Sequence, residues 1–291
     1  MNDVLVQTAG LPITRRLALG IQYDGAGFAG WQSQVHGKTI QDRLQTALFE
    51  FAQTPIPVVC AGRTDAGVHA LRQVVHLDTE LDRPLASWVR GVNRYLPPSI
   101  AVQWARQVSH DFHARFSAHT RSYVYLLQTS ATRSPILFQR SGWIHADLNL
   151  LSMQQATQVL VGEHDFSSFR SAECQAKSPV KTMYNVQIAQ CDGMFIFYFS
   201  ANAFLHHMIR NLVGALIYIG QGKQAPAWMT ELLAARSRLI AAPTFMPDGL
   251  YLTGIQYPAQ FDLPFNHWQE PTETGLPAWV SQQFFARSPL S

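Results

Sequence analysis

Apolar residues occupy every odd position of Leu17-Ala18-Leu19-Gly20-Ile21-Gln22-Tyr23, which predicts a strand with one buried face. A glycine-rich loop, Asp24 to Trp31, follows it. Thr39 then reads as an N-cap, and Ile40, Leu44, Ala47, Leu48 and Phe51 form one helical stripe. Val58–Ala61 reads as a buried strand running into Gly62-Arg63-Thr64-Asp65. Gln73–Leu77 returns as a strand, Leu85–Asn93 as a helix and Ile100–Val108 as a strand. Further along, Ser122–Gln128 is a strand with Tyr123, Tyr125 and Leu127 on one face. Asn149 caps a helix that stops near Gly162. Cys191-Asp192-Gly193 joins Asn185–Gln190 to Met194–Ser200 as a hairpin. Ala203–Ile219 reads as one long apolar helix ended by Gly220, followed by a short helix at Trp228–Arg236 and a last strand at Leu250–Tyr257.

The pattern divides the chain into a loose tail at 1–14, an α+β half at 15–110, a second α+β half at 111–259 and an irregular tail at 260–291. With 291 residues, 47% of them hydrophobic, there is ample material for a core. Charged residues make up only 14%, against about 25% in an average domain, and the net charge is +3. Only Lys38, Lys177, Lys181 and Lys223 are lysines among 22 basic residues, so arginine dominates. Arginine suits phosphates and stacks on bases, although a lineage bias would leave the same imbalance. Three cysteines without paired spacing exclude a disulfide framework and a zinc-finger pattern, and point to a reducing compartment. No apolar run approaches the ~20 residues of a membrane span, and no signal peptide is recognisable, so a cytoplasmic protein is expected.

Gly62-Arg63-Thr64-Asp65-Ala66-Gly67 brackets an arginine and an aspartate between glycines at the end of a buried strand. Local physics alone favours a plain turn here, since Asp and Gly are turn residues. The alternative is a carboxylate presented to a cleft. Arg210 stands in an otherwise apolar helical stretch beside Met208, Ile209, Leu212 and Val213. A buried guanidinium without a partner is costly, so an acid must face it, Asp65 and Asp165 both being available. His206-His207 reads as packing or hydrogen-bonding histidines rather than a metal site. Adjacent helical positions point about 100° apart, and no acid or cysteine completes a ligand set.

The nine residues Gly62 to Ala70 resemble the signature of the TruA family of tRNA pseudouridine synthases. Companion segments appear in family order: Tyr23-Asp24-Gly25 with Gly30-Trp31-Gln32, Asn93 with Leu96-Pro97, and Asp111 to Ala118 followed by Tyr123 and Tyr125. Gly162 to Arg170 and Phe204 to Asn211 complete the set, so the resemblance spans about residues 17–257. It implies a pseudouridine synthase fold, α+β with two similar halves whose sheets join around a central RNA-binding cleft. It implies isomerisation of uridine to pseudouridine at positions 38, 39 and 40 of the tRNA anticodon arm. No group is added to the substrate, so no cofactor and no metal are expected. Asp65 would be the nucleophile, attacking base or sugar. Arg210 would keep it charged, Tyr123 would stack on the uracil and exchange a proton, and Arg63 would support base flipping. Phe112, His113, Arg115 and Phe116 would contact tRNA, with Arg83 and Lys177 as further phosphate contacts. A homodimer with tRNA across both subunits is implied. The alternatives are a non-catalytic tRNA-binding or chaperone protein on the same fold, and a small-molecule enzyme without RNA affinity.

Overall fold

The computed structural model describes residues 14–191 and 193–264. Ten strands form one sheet. In chain order they are β1 (Arg15–Tyr23), β2 (Val59–Cys60), β3 (His69–Thr79), β4 (Ile100–Val108), β5 (Thr120–Thr129), β6 (Gly142–Ile144), β7 (Gly162–Asp165), β8 (Val180–Cys191), β9 (Met194–Ala201) and β10 (Leu250–Gln256). Their spatial order is β4-β1-β3-β10-β5-β9-β8-β7, with β2 on β3 and β6 on β5. The expected halves are therefore joined in one continuous sheet. The joint is β10, parallel to β3 at Tyr251–Leu252 and antiparallel to β5 from Leu250 to Gln256.

Among the described residues there are five α-helices: α1 (Ile40–Ala52), α2 (Leu85–Asn93), α3 (Leu150–Thr157), α4 (Met208–Gly220) and α5 (Trp228–Ala235). Thr39 caps α1 by accepting a hydrogen bond from the Asp42 N–H, and Asn149 caps α3 through Ser152. Helices α1 and α2 lie over the first half of the sheet, where Phe51 meets Trp88 edge-on at 5.1 Å. Helices α3 and α4 pack together over the second half.

The alternation along β1 predicts one buried face, but Leu17 through Gly20 are all buried. The small residues on the other face are covered too. A side chain at Gly20 would collide with the Trp104 indole, its Cβ falling 2.1 Å from the ring nitrogen. Two short strands, β6 and β7, escape the hydrophobic pattern because runs of three and four residues carry no periodicity. Phe261 and Leu263 are buried, with Phe261 packed against Phe112 at 5.1 Å. The rest of both expected tails, and Asp192 of the expected hairpin turn, lie outside the described residues.

The largest departure is at α4. The apolar stretch predicts a helix from Ala203, yet α4 starts at Met208. The preceding residue, His207, has φ 63° and ψ 2°, a left-handed conformation that costs a non-glycine residue roughly 1–2 kcal/mol. The five residues before the helix line a cavity instead of forming its first turn.

Candidate active site

Strand β2 delivers the chain into the Asp65 loop. Thr64 is buried, its hydroxyl hydrogen-bonded to the Tyr23 phenol at 2.8 Å, and the Gln73 amide donates to the Gly62 carbonyl at 2.7 Å. The Val68 N–H closes a turn onto the Asp65 carbonyl, with Gly67 at φ 79°. The local expectation of a turn is thus correct for the backbone, and the turn is also the device that presents the carboxylate.

The glycine-rich loop buttresses it from behind. The Trp31 N–H donates to the Thr64 carbonyl at 3.0 Å. Gly30 sits at φ 86°, where a Cβ would fall 2.8 Å from that same carbonyl oxygen, so only glycine allows this approach. His69 anchors the loop further: its Nδ1 accepts from the Gly25 N–H at 3.1 Å while Nε2 faces the Asp248 carbonyl at 3.2 Å. Its Nδ1 also lies 3.1 Å from Asp24 Oδ1, and burial lowers its pKa, so His69 acts as a structural anchor.

Asp65 opens into a cavity of about 940 Å³ lined by Arg63, Arg121, Tyr123, His206 and Arg210 among others. Arg210, from the first turn of α4, places Nη1 3.0 Å from Asp65 Oδ2 and is fixed by Nε donating to the Phe245 carbonyl at 2.8 Å. Of the two acids the sequence offers Arg210, it faces Asp65. Asp165 instead accepts from the Ser167 N–H and lies 3.7 Å from Arg236.

His206 and His207 correct the expectation of divergent side chains. They precede the helix, and the left-handed backbone of His207 turns both rings to the same carboxylate. His206 Nε2 lies 3.3 Å from Asp65 Oδ1, and His207 Nε2 3.5 Å from Oδ2, with ring centroids 4.0 Å apart. The expectation that no acid joins them is corrected as well: Asp65, far away in the chain, does.

Burial alone would push the Asp65 carboxyl up. The hydrogen bond from His206, the adjacent His207 and Arg210 outweigh it and hold the group below the ordinary carboxylate range. The hydrogen bond to Asp65 pushes His206 up, whereas burial pushes His207 down. Asp65 is therefore an ionised carboxylate at neutral pH, half enclosed and aimed at a cavity.

Tyr123 is 7% exposed on β5 and meets Phe204 edge-on at 5.2 Å. Burial and the nearby Asp65 charge push its phenol well up, so it keeps its proton. Tyr125 is fully buried and donates to the Met246 carbonyl, a core tyrosine. Arg63 is exposed on the cavity wall and donates to Gln175 at 3.2 Å. Arg121 is a buried guanidinium that sequence reading missed, donating to the carbonyls of Ala61, Arg115, Ala118 and Asn202. It ties the Asp65 loop to β5 and keeps a positive charge in the cavity wall.

The expected RNA-contacting segment divides. Arg115 and Phe116 are exposed, the guanidinium 5.6 Å from the Phe116 ring, and His113 stacks on Phe116 at 4.3 Å. Phe112 is 0% exposed against Tyr257 and Phe261, so it packs the core and offers RNA no surface. Arg83 lies over the Phe51 ring at 4.5 Å, away from the cavity wall. Lys177 is exposed next to the lining residue Ala176. Among the described residues no helix is long and apolar enough to cross a membrane.

A family model described as tRNA pseudouridine synthase matches residues 20–117 and 156–258. The chain is 58% identical over 250 residues to the tRNA pseudouridine synthase A of Paraburkholderia xenovorans (strain LB400), covering 86% of this chain and 93% of that protein. It is 56% identical over 255 residues to the protein of the same name from Herminiimonas arsenicoxydans, with the same coverage. With that of Burkholderia mallei (strain SAVP1) it shares 56% over 267 residues, 91% of this chain and 96% of the other.

Proposed function

Because the chain belongs to the tRNA pseudouridine synthase family, we propose that it isomerises uridine to pseudouridine in the anticodon arm of tRNA, at positions 38, 39 and 40, with Asp65 as nucleophile. The observation that carries this assignment is the Asp65 carboxylate, ion-paired to Arg210 across 145 residues of chain at the wall of a cavity large enough for a nucleotide.

Isomerisation breaks N1–C1′ and forms C5–C1′; the hydrogen leaves C5 and N1 gains one, so nothing is added or oxidised. An ionised carboxylate supplies a nucleophile for a covalent intermediate at sugar or base. Arg210 and His206 hold its charge in a partly dry pocket. Tyr123, protonated and packed by Phe204, supplies a ring face for the uracil, worth roughly 1–3 kcal/mol per stacked base. A paired base must leave its stack at a cost of a few kcal/mol, and Arg63, exposed two residues from the nucleophile, would occupy the gap. His113, Arg115 and Phe116 extend the surface with mixed basic and aromatic groups, and Lys177 and Arg83 serve as outlying phosphate contacts. A homodimer in the cytoplasm, with tRNA across both subunits, follows from the family resemblance alone. The binding-only alternative gains nothing from relatives that all carry an enzyme's name.

The test is to incubate unmodified tRNA with purified Asp65→Ala protein and map pseudouridine by mass. No product with retained tRNA binding is expected; ordinary turnover would remove Asp65 from the reaction.

A further inference from the structure

We propose that Asp65, His206 and His207 form a binding site for one zinc-class divalent transition-metal ion, and that the bound ion silences the nucleophile. Their donor atoms, one from each side chain, all lie within 4.8 Å of one another. A tetrahedral zinc with ligands at about 2.0–2.1 Å sets its donors about 3.3–3.4 Å apart. The 3.3 Å from His206 Nε2 to Oδ1 already matches such an edge, while His207 Nε2, 3.5 Å from Oδ2, closes onto Oδ1 by a small shift of its ring.

Two further features suit a metal. Arg210 pairs with Oδ2, which leaves Oδ1 to the ion and makes the guanidinium the outer partner that orients a ligating carboxylate. The cavity supplies the open fourth position for water. The left-handed backbone at His207 is the strain that brings two adjacent imidazoles onto one point; strain of this kind persists where the surroundings over-determine it, and it clusters at sites. Two imidazoles and a carboxylate select zinc, copper or nickel over magnesium and calcium, which take oxygen donors.

Zinc on Oδ1 takes the lone pair that would attack the nucleotide. The ion is thus an inhibitor of the proposed reaction, bound independently of it. Only this silencing rests on the assignment of Asp65 as nucleophile.

The experiment titrates Zn2+ into chelator-treated protein by calorimetry, beside Asp65→Asn, His206→Gln and His207→Gln, with melting curves to confirm folding. One equivalent is expected, and each variant should weaken it by at least the ~10–100-fold that loss of even an outer partner costs. Undiminished affinity in the variants, or no stoichiometric binding, overturns the site. X-ray absorption at the zinc edge, done on the wild-type protein, does not depend on how the variants fold. It should show only nitrogen and oxygen neighbours at about 2.0–2.1 Å, two of them imidazoles; a sulfur from nearby Cys174 or an all-water shell overturns the assignment. Zinc should also stop pseudouridine formation at the concentration that fills the site, and a chelator should restore it. Full turnover by zinc-saturated protein overturns the silencing, whereas an active zinc-free Asp65→Ala overturns the nucleophile instead.

Discussion

Asp65 is an ordinary aspartate made unusual by what faces it. Breaking a buried ion pair by removing one partner costs about 3–5 kcal/mol, because a charge is left uncompensated. Arg210→Ala should accordingly lower both the melting temperature and the turnover severely, with Arg210→Lys recovering more stability than activity, since a single ammonium cannot hold Asp65 and the Phe245 carbonyl together. Parallel melting and single-turnover measurements check this. Neighbouring phenylalanines should separate in the opposite way. Phe112→Ala removes a fully buried ring and should cost about 3–5 kcal/mol in denaturant unfolding. Phe116→Ala, at a ring 76% exposed, should leave unfolding nearly unchanged and weaken tRNA binding. Both residues sit in one motif, and letters alone do not say which ring faces inward. Arg210 was half legible: its apolar neighbours demanded an acid, but nothing local could choose between Asp65 and Asp165.

At the scale of elements, β3 joins the site to the segment after β4 through His76. Its Nδ1 accepts from the Ala114 N–H at 3.0 Å, and the ring packs edge-on against Phe112. Burial, aided by the charges of Arg16 and His113, pushes His76 down from 6.5 to about 4. A histidine whose folded pKa is depressed contributes stability that is fully present above its unfolded value and lost as pH falls toward the folded one. The window is therefore from about 6.5 down to about 4. At pH 4.5 the loss should be on the order of 2 kcal/mol relative to pH 7. His76→Gln should flatten that part of the curve, measured by urea unfolding across the window; an unchanged acid slope would place the sensitivity elsewhere. Most elements were legible because their periodicity is local: the bounds of α2 and β4 match the pattern, and α1 differs by one residue from the expected stripe. The start of α4 was not. Ala203 to Met208 is apolar enough to continue a helix, and the left-handed turn at His207, a non-glycine residue, carries no signal in the letters.

For the whole molecule, the decisive fact is nonlocal. The individual strands and helices were legible, but their fusion through β10 was not, because it depends on pairings of Tyr251 with His69 and Val124. A shared central strand should make the halves unfold together. Calorimetry should give a single transition, and Leu252→Ala, a substitution at a fully buried position of β10, should shift it as one peak, at about 2–5 kcal/mol. Two separated transitions would show that β10 does not couple them.

That shared strand also sets an order in time. Translation makes the Asp65 loop early, Arg210 much later and β10 later still. While the chain is on the ribosome, β3 lacks its neighbour on one side, and β5 likewise. Exposed strand edges template pairing with other chains. A nascent chain released before residue 256 therefore carries Asp65 without a continuous sheet, and is a substrate for chaperones and proteases.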